Sequence, residues 1–115
     1  MLNITRHDDV EAFDFHGLQI REIQRSDRSS LAEIDVAPGT IHPKARSTAS
    51  DKIYTCLEGS ISFVVDGQNV VLSERETLVI DVDTWFEYSN LGSKMARLLL
   101  THTPAFNLEA EEFSD

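Results

Sequence analysis

The chain of 115 residues carries 20 acidic and 10 basic residues, which gives a formal net charge of −10. A surface with that charge repels phosphate backbones, so we expect no nucleic-acid partner. The length suits one domain, and an apolar content of 41% suits a globular fold with a buried core.

The sequence shows no apolar run near the roughly 20 residues that a membrane helix needs. Its first residues lack the basic and then apolar pattern of a signal peptide. Cys56 is the single cysteine, so no internal disulfide can form. We therefore expect a cytoplasmic protein with no membrane partner.

Short β-type segments dominate the chain. Residues 1–17 form an acidic arm in which Phe13 and Phe15 are spaced for one strand face, and from Leu18 onward β-type runs recur about every eight to twelve residues. The predicted strands cover residues 18–24, 31–36, 40–48, 52–57, 60–65, 68–72, 77–82, 85–89 and 96–102. This spacing favours an all-β barrel or sandwich. A weak helical pattern appears only in residues 107–113.

The dipeptide Asp66-Gly67 between two of these runs indicates a hairpin, because a tight two-residue turn needs positive φ and glycine adopts it without steric cost. In the predicted strand 52–57, Lys52, Tyr54 and Cys56 share one face. The opposite face is also partly apolar. We therefore predict a homodimer in which a second copy covers one sheet.

Residues 38–100 resemble a small single-domain cupin of the RmlC-like superfamily. Gly39 and Gly59 occupy the first and last positions of the family's first metal motif, and Asn90 matches the end of its second. The resemblance implies a double-stranded β-helix, or jelly-roll barrel. It implies one domain over residues 1–115, with a core at about 18–103, an N-terminal arm at 1–17 and a C-terminal tail at 104–115.

The resemblance also locates the positions that hold a metal in cupins, and here their residues differ. Counting back from the closing glycine of the first motif places the family's glutamate at Lys52. The two histidines of that motif fall on Arg46 and Thr48, or on Ala45 and Ser47 if a longer spacing applies.

The third histidine of the family falls on Phe86, which has no lone pair to offer a metal. Two cations and a phenyl ring do not bind a divalent ion, so we expect no metal and no other cofactor. A relocated site using His42 and His102 with a nearby acid is an alternative, although these histidines lack ligand spacing.

In this alignment the barrel mouth presents two cations, a hydroxyl and several aromatic rings, which suit an anionic or polyhydroxylated small molecule. The candidate ligand-binding residues are Arg46, Thr48, Lys52, Tyr54, Phe86 and Tyr88. The candidate catalytic residues are Lys52 as a base, Tyr54 as an acid, and His42.

A purely structural interpretation stays open. In it Arg46 and Lys52 pair with acids such as Asp51 or Glu87, and the acidic residues near both ends, Asp115 among them, confer solubility.

Three functions are compatible with the sequence. The first is a metal-free cupin that binds a sugar, a sugar phosphate or an organic acid. The second is a metal-independent isomerase or epimerase of a sugar derivative, which needs a histidine base that reaches the barrel. The third is a metal-dependent cupin enzyme with a relocated site.

Overall fold

The computed structural model describes residues 2–114; Met1 and Asp115, the ends of the predicted domain, lie outside the described residues. Two antiparallel sheets contain every strand of the described part of the chain. The larger sheet has the order β1-β2-β3-β10-β5-β8, and the smaller sheet has the order β11-β4-β9-β6-β7. The all-β jelly-roll architecture of the cupins is thereby confirmed.

The strands have these bounds: β1 Phe13–Phe15, β2 Leu18–Arg25, β3 Ser30–Val36, β4 Ile41–Ser47, β5 Asp51–Glu58, β6 Ser60–Val65, β7 Gln68–Ser73, β8 Thr77–Ile80, β9 Phe86–Ser89, β10 Ala96–Thr103 and β11 Glu111–Phe113. Two short 3-10 helices cover His7–Asp9 and Leu108–Ala110. All nine predicted strands exist, with bounds that shift by two residues at most. No helix within residues 2–114 has the length and apolar character to cross a bilayer.

The predicted hairpin joins β6 to β7. Val65 pairs with Gln68, and the two turn residues Asp66 and Gly67 have φ angles of 50° and 77°. Both angles are positive, as the mirror-image two-residue turn requires.

One short strand from each terminal segment joins the sheets. β1 pairs with β2, and β11 pairs with β4 with Glu111 opposite Ser47. The weak helical pattern in residues 107–113 allowed a short C-terminal helix or a trailing end. The structure has one 3-10 turn there, which leads directly into β11. As a result, both ends contribute residues to the space between the sheets.

The core fills the space between the sheets. Its largest fully buried side chains are Tyr54, Tyr88, Phe63 and Phe86. On β5 the burial alternates as the sequence predicts, with Lys52, Tyr54 and Cys56 inside.

A bulge in β4 decides which of its residues face inward. The pairing of β4 with β9 shifts register between His42 and Ala45. A bulge inserts one extra residue and so exchanges the two faces of the strand beyond it. His42, Ala45 and Ser47 are accordingly buried, whereas Arg46 and Thr48 are not.

Candidate functional site

A cavity of about 510 Å³ lies between the two sheets. Its walls are mainly apolar and include the phenyl rings of Phe13, Phe15, Phe106 and Phe113. Its polar lining residues are Asp14, Glu22, Ser30, His42, Lys52, Tyr54, Tyr88, His102 and Glu111. Asp14 and Glu22 are exposed and mark the entrance, whereas the other polar residues are buried or nearly so.

His42 is an uncharged imidazole with a defined tautomer. Its Nδ1 lies 2.6 Å from the carbonyl oxygen of Pro43, and because a carbonyl only accepts, Nδ1 carries the proton. The lone pair is therefore on Nε2. Burial lowers the pKa of His42 to about 4, so the ring is neutral at pH 7. The ring stacks on Tyr88 with centroids 4.8 Å apart.

Two buried phenols complete this side of the cavity. Tyr54 on β5 and Tyr88 on β9 are each 1% exposed, and their ring centroids are 5.6 Å apart. Burial raises the pKa of both phenols above the ordinary value, so both stay protonated at neutral pH. Among residues 2–114 no group lies in good hydrogen-bond geometry to the buried hydroxyl of Tyr88, although the Tyr54 hydroxyl is close enough to oppose the rise in its pKa. A ligand oxygen in the cavity could accept from that hydroxyl.

Lys52 forms a buried ion pair with Glu111. Its Nζ lies 2.5 Å from Glu111 Oε1, and the two side chains are 4% and 7% exposed. Burial lowers the pKa of Lys52, and the Glu111 carboxylate opposes that shift. The second carboxylate oxygen, Oε2, is buried and has no hydrogen-bond partner within residues 2–114.

His102 is the third member of this group. Its Nε2 lies 3.1 Å from Lys52 Nζ, and its ring packs edge-on against Phe106. Burial, together with the Lys52 charge, lowers the pKa of His102 to about 3. The neutral imidazole can therefore accept a hydrogen bond from the Lys52 ammonium.

The prediction that Arg46 and Thr48 lie in the barrel mouth is wrong. Arg46 lies on the outer face of β4, where Nη2 is 2.7 Å from Glu112 Oε1 and the guanidinium lies 4.9 Å from the Trp85 ring centroid. Thr48 is exposed and donates a hydrogen bond to the carbonyl of Ala110. The bulge in β4 selects the longer motif spacing, so Ala45 and Ser47 occupy the inward positions.

The expected pair of cations therefore does not form. Lys52, Tyr54 and Tyr88 line the cavity as predicted, whereas Phe86 packs behind it, with its ring centroid 5.2 Å from that of His42 and 5.4 Å from Lys52 Nζ. The acidic partners of Arg46 and Lys52 come from β11 rather than from Asp51 or Glu87.

These residues do not fit the metal that cupins commonly hold. The position of the family's carboxylate holds the Lys52 ammonium, and that of its third histidine holds Phe86, neither of which donates a lone pair to a metal ion. Residues 2–114 also contain no group of three or more histidine, cysteine, aspartate or glutamate side chains placed to hold one. A relocated site on His42 and His102 has no third ligand in this part of the chain.

Sequence reasoning missed Glu111, which it assigned to a solubilising acidic run. One signal pointed to it. A lysine at an inward-facing position needs a counter-charge, since buried lysines without a partner are rare. The sequence does not show which acid supplies that charge, because β5 and β11 are far apart in the chain.

The family model of the cupin domain matches residues 32–102, more than half of the chain. The chain belongs to the cupin family. Comparison with curated protein sequences gives no match.

Solved structures agree with this assignment. Pac13 from Streptomyces, described as a nucleoside dehydratase, is 18% identical, with 99% of this chain and 92% of that chain covered and a TM-score of 0.86. KdgF from Halomonas sp. is 13% identical, with 93% and 97% covered and a TM-score of 0.86. A predicted oxalate decarboxylase from Thermotoga maritima is 13% identical, with 89% and 99% covered and a TM-score of 0.83. At these identities the likeness shows a shared fold.

Proposed function

We propose that this cupin is a metal-independent enzyme that eliminates water from a small polyhydroxylated molecule of the nucleoside or sugar class. The observation that carries the proposal is the state of His42. It is a buried, neutral imidazole whose Nδ1 is bound to Pro43 and whose Nε2 lone pair is available to take a proton. Such a group beside two protonated phenols supplies a base and hydrogen-bond donors without any cofactor.

The chemistry follows from these protonation states. His42 Nε2 removes a proton from a carbon next to a carbonyl of the substrate. Tyr88 and Tyr54 donate hydrogen bonds to the carbonyl oxygen as it gains negative charge, and their raised pKa values keep their protons in place. The imidazolium then returns its proton to a hydroxyl on the next carbon. That hydroxyl leaves as water, and a carbon–carbon double bond remains.

The low pKa of His42 bears on both proton transfers of the elimination. An imidazole with a pKa of about 4 is a weaker base than free imidazole, so the substrate proton must be acidified by an adjacent carbonyl. For the same reason its conjugate acid is a strong one, and it readily protonates a departing hydroxyl.

Similar proteins support the substrate class. Pac13 is described as a nucleoside dehydratase, and it has been solved with uridine as variants in which one histidine is changed to glutamine or one tyrosine to phenylalanine. The cavity of this chain likewise contains a neutral histidine, His42, and two tyrosines, Tyr54 and Tyr88. The proposal carries that reaction class to this chain.

Isomerisation is the second candidate, and the same atoms support it. If the His42 imidazolium returned its proton to a neighbouring carbon, the product would be an isomer or epimer of the substrate. Binding without turnover is the third outcome. The two reactions differ in product mass by one water, so mass spectrometry separates them.

The test uses carbonyl-bearing derivatives of nucleosides and sugars with the purified protein, with and without a chelator. We expect a product lighter by one water. We expect His42→Gln to lower turnover by roughly 10²–10⁴-fold, the usual contribution of a positioned base. Glu112→Gln is the control, because Glu112 is exposed, pairs with Arg46 and lies outside the cavity lining. Unchanged turnover in His42→Gln, or loss of all turnover with the chelator, would contradict the proposal.

A further inference from the structure

The free oxygen of Glu111 is the starting point. The side chain lines the cavity and is 7% exposed, Oε1 is bound to Lys52, and Oε2 has no hydrogen-bond partner within residues 2–114. Buried carboxylate oxygens in folded proteins almost always accept a hydrogen bond. A hydroxyl or N–H group of a bound ligand would supply that missing donor.

Among residues 2–114, no unbalanced positive charge lines the interior of the cavity. The Lys52 ammonium is matched by the Glu111 carboxylate at 2.5 Å. His42 and His102 are neutral at pH 7, because their pKa values are lowered to about 4 and about 3. An anionic ligand therefore finds no cation there that is not already neutralised, while it does meet the Glu111 carboxylate.

The entrance is acidic as well. Asp14 and Glu22 are exposed lining residues. The nearby cation Arg25 donates to the carbonyl of Phe106 at 2.7 Å and lies 3.5 Å from the Glu22 carboxylate, so it balances the charge of Glu22. Asp14 has no cationic partner within residues 2–114 and remains the unbalanced carboxylate at the entrance. Carboxylates are thus in excess among the lining residues, and a phosphate or carboxylate group entering here is repelled.

The apolar walls fit a ring. Phe13, Phe15, Phe106 and Phe113 present phenyl groups to the cavity, and Phe15 lies 5.9 Å from Phe113 between centroids. Aromatic side chains in such positions stack on flat or weakly polar ring faces. The ligand therefore combines an uncharged ring with hydroxyl or N–H donors.

We propose that the cavity selects uncharged ligands, with Glu111 Oε2 as the acceptor for a ligand hydroxyl or N–H, and that it rejects the phosphorylated or carboxylated forms of the same molecules. The inference rests on the proposed function in that it concerns the same cavity. It replaces the expectation of an anionic ligand, which depended on an inward-facing Arg46. Glu111 acts here as a specificity-determining residue.

The test measures binding rather than turnover. Isothermal titration calorimetry compares matched pairs that differ only in a phosphate or carboxylate: uridine with uridine 5′-monophosphate, ribose with ribose 5-phosphate, and glucose with glucuronate. We expect the uncharged member of at least one pair to bind, and its charged partner to bind at least about tenfold more weakly. Equal or tighter binding of the charged partners, or no binding by any uncharged member, would overturn the inference.

Variants then assign the effect to residues. Glu111→Gln keeps the shape of the side chain but removes its charge, and we expect about tenfold weaker binding of the uncharged ligand, since hydrogen bonds to charged acceptors are the stronger ones. Glu112→Gln is the matched control on the same strand, because Glu112 pairs with Arg46 outside the cavity, and its binding should match the wild type. If Glu111→Gln binds like Glu112→Gln, Glu111 is not the acceptor.

A second variant covers the case in which Glu111→Gln fails to fold. Asp14→Asn removes one carboxylate at the exposed entrance and preserves the hydrogen-bonding shape of the side chain. We expect Asp14→Asn to reduce the ratio of the affinities for the uncharged and the charged ligand. An unchanged ratio would mean that the entrance carboxylate does not contribute to this selectivity. Unchanged turnover in His42→Gln would contradict the proposed function but leave these binding results intact, so the two proposals can fail separately.

Discussion

At the scale of single residues, the buried hydroxyl of Tyr88 lowers the stability of the folded state. It is buried, and among residues 2–114 no group forms a well-aligned hydrogen bond with it, since the nearby Tyr54 hydroxyl lies outside that geometry. A hydroxyl withdrawn from water without a partner destabilises the folded state by roughly 1–3 kcal/mol. Groups retained at such a cost are common where a ligand completes the hydrogen bond.

We therefore predict that Tyr88→Phe raises the free energy of unfolding by about 1 kcal/mol while it lowers turnover or ligand affinity. Urea denaturation at pH 7 measures the first quantity, and the assays described above measure the second. Tyr54→Phe serves as a comparison from the same cavity. A loss of stability in Tyr88→Phe would mean that the hydroxyl serves the fold instead.

At the scale of strands, β4 and β11 show where sequence reasoning succeeded and where it stopped. Local patterns predicted nine strands and the hairpin at Asp66-Gly67, because turn chemistry and alternation act between neighbouring residues. They did not predict the bulge after His42, which reverses the face of Arg46. Nor did they predict that β11 joins the sheet, because a three-residue strand depends on its partner rather than on its own pattern.

The inward residues of β5 were predictable for the opposite reason. That strand pairs along its whole length with β10, and the register there shifts only near Glu58, so Lys52, Tyr54 and Cys56 alternate regularly. Cys56 is buried as expected for an inert thiol, and burial raises its pKa. The burial of Lys52 implied that an acidic residue must pair with it. Which residue that is could be identified only from the fold.

Breaking the buried ion pair between β5 and β11 should lower the free energy of unfolding far more than breaking the exposed pair between β4 and β11. We predict that Lys52→Met lowers the free energy of unfolding by about 3–5 kcal/mol, because it leaves the Glu111 carboxylate buried and unpaired. Adding Glu111→Gln should recover much of that loss. Urea denaturation at pH 7 of the single and double variants gives the coupling between the two residues.

The partly exposed pair of Arg46 and Glu112 is the control for that cycle. Its replacement by Met and Gln should change stability by less than about 1 kcal/mol. Equal effects in the two cycles would show that burial of the Lys52 pair does not increase its contribution to the free energy of unfolding.

At the scale of the whole molecule, two buried neutral histidines link folding to pH. The pKa of His42 is about 4 in the folded chain and about 6.5 when unfolded, so between those values the unfolded chain binds more protons. Stability is therefore lost as the pH falls from 6.5 towards 4. His102, with a folded pKa of about 3, acts in the same direction. The predicted association into homodimers stays a prediction.

We expect His42 alone to remove roughly 3 kcal/mol of stability over that range. Urea denaturation at several pH values between 4.5 and 7 measures most of the effect. This window lies above the lowered pKa of Asp35, whose ion pairs with Arg21 and Arg97 are lost only under more acidic conditions. His42→Gln should reduce the slope of stability against pH. Equal slopes in the wild type and His42→Gln would contradict the assignment.

The hydrogen bond from His42 to Pro43 closes within two adjacent residues. A contact so local needs no distant segment to stay in register, and the fixed φ of proline limits the positions that the accepting carbonyl can take. Substitutions in β1, β10 or β11 can therefore reshape the walls while the imidazole keeps its tautomer and its direction. A cupin of this design can acquire new ligands through substitutions among the aromatic side chains that line its cavity. The proton-accepting nitrogen of His42 stays unchanged.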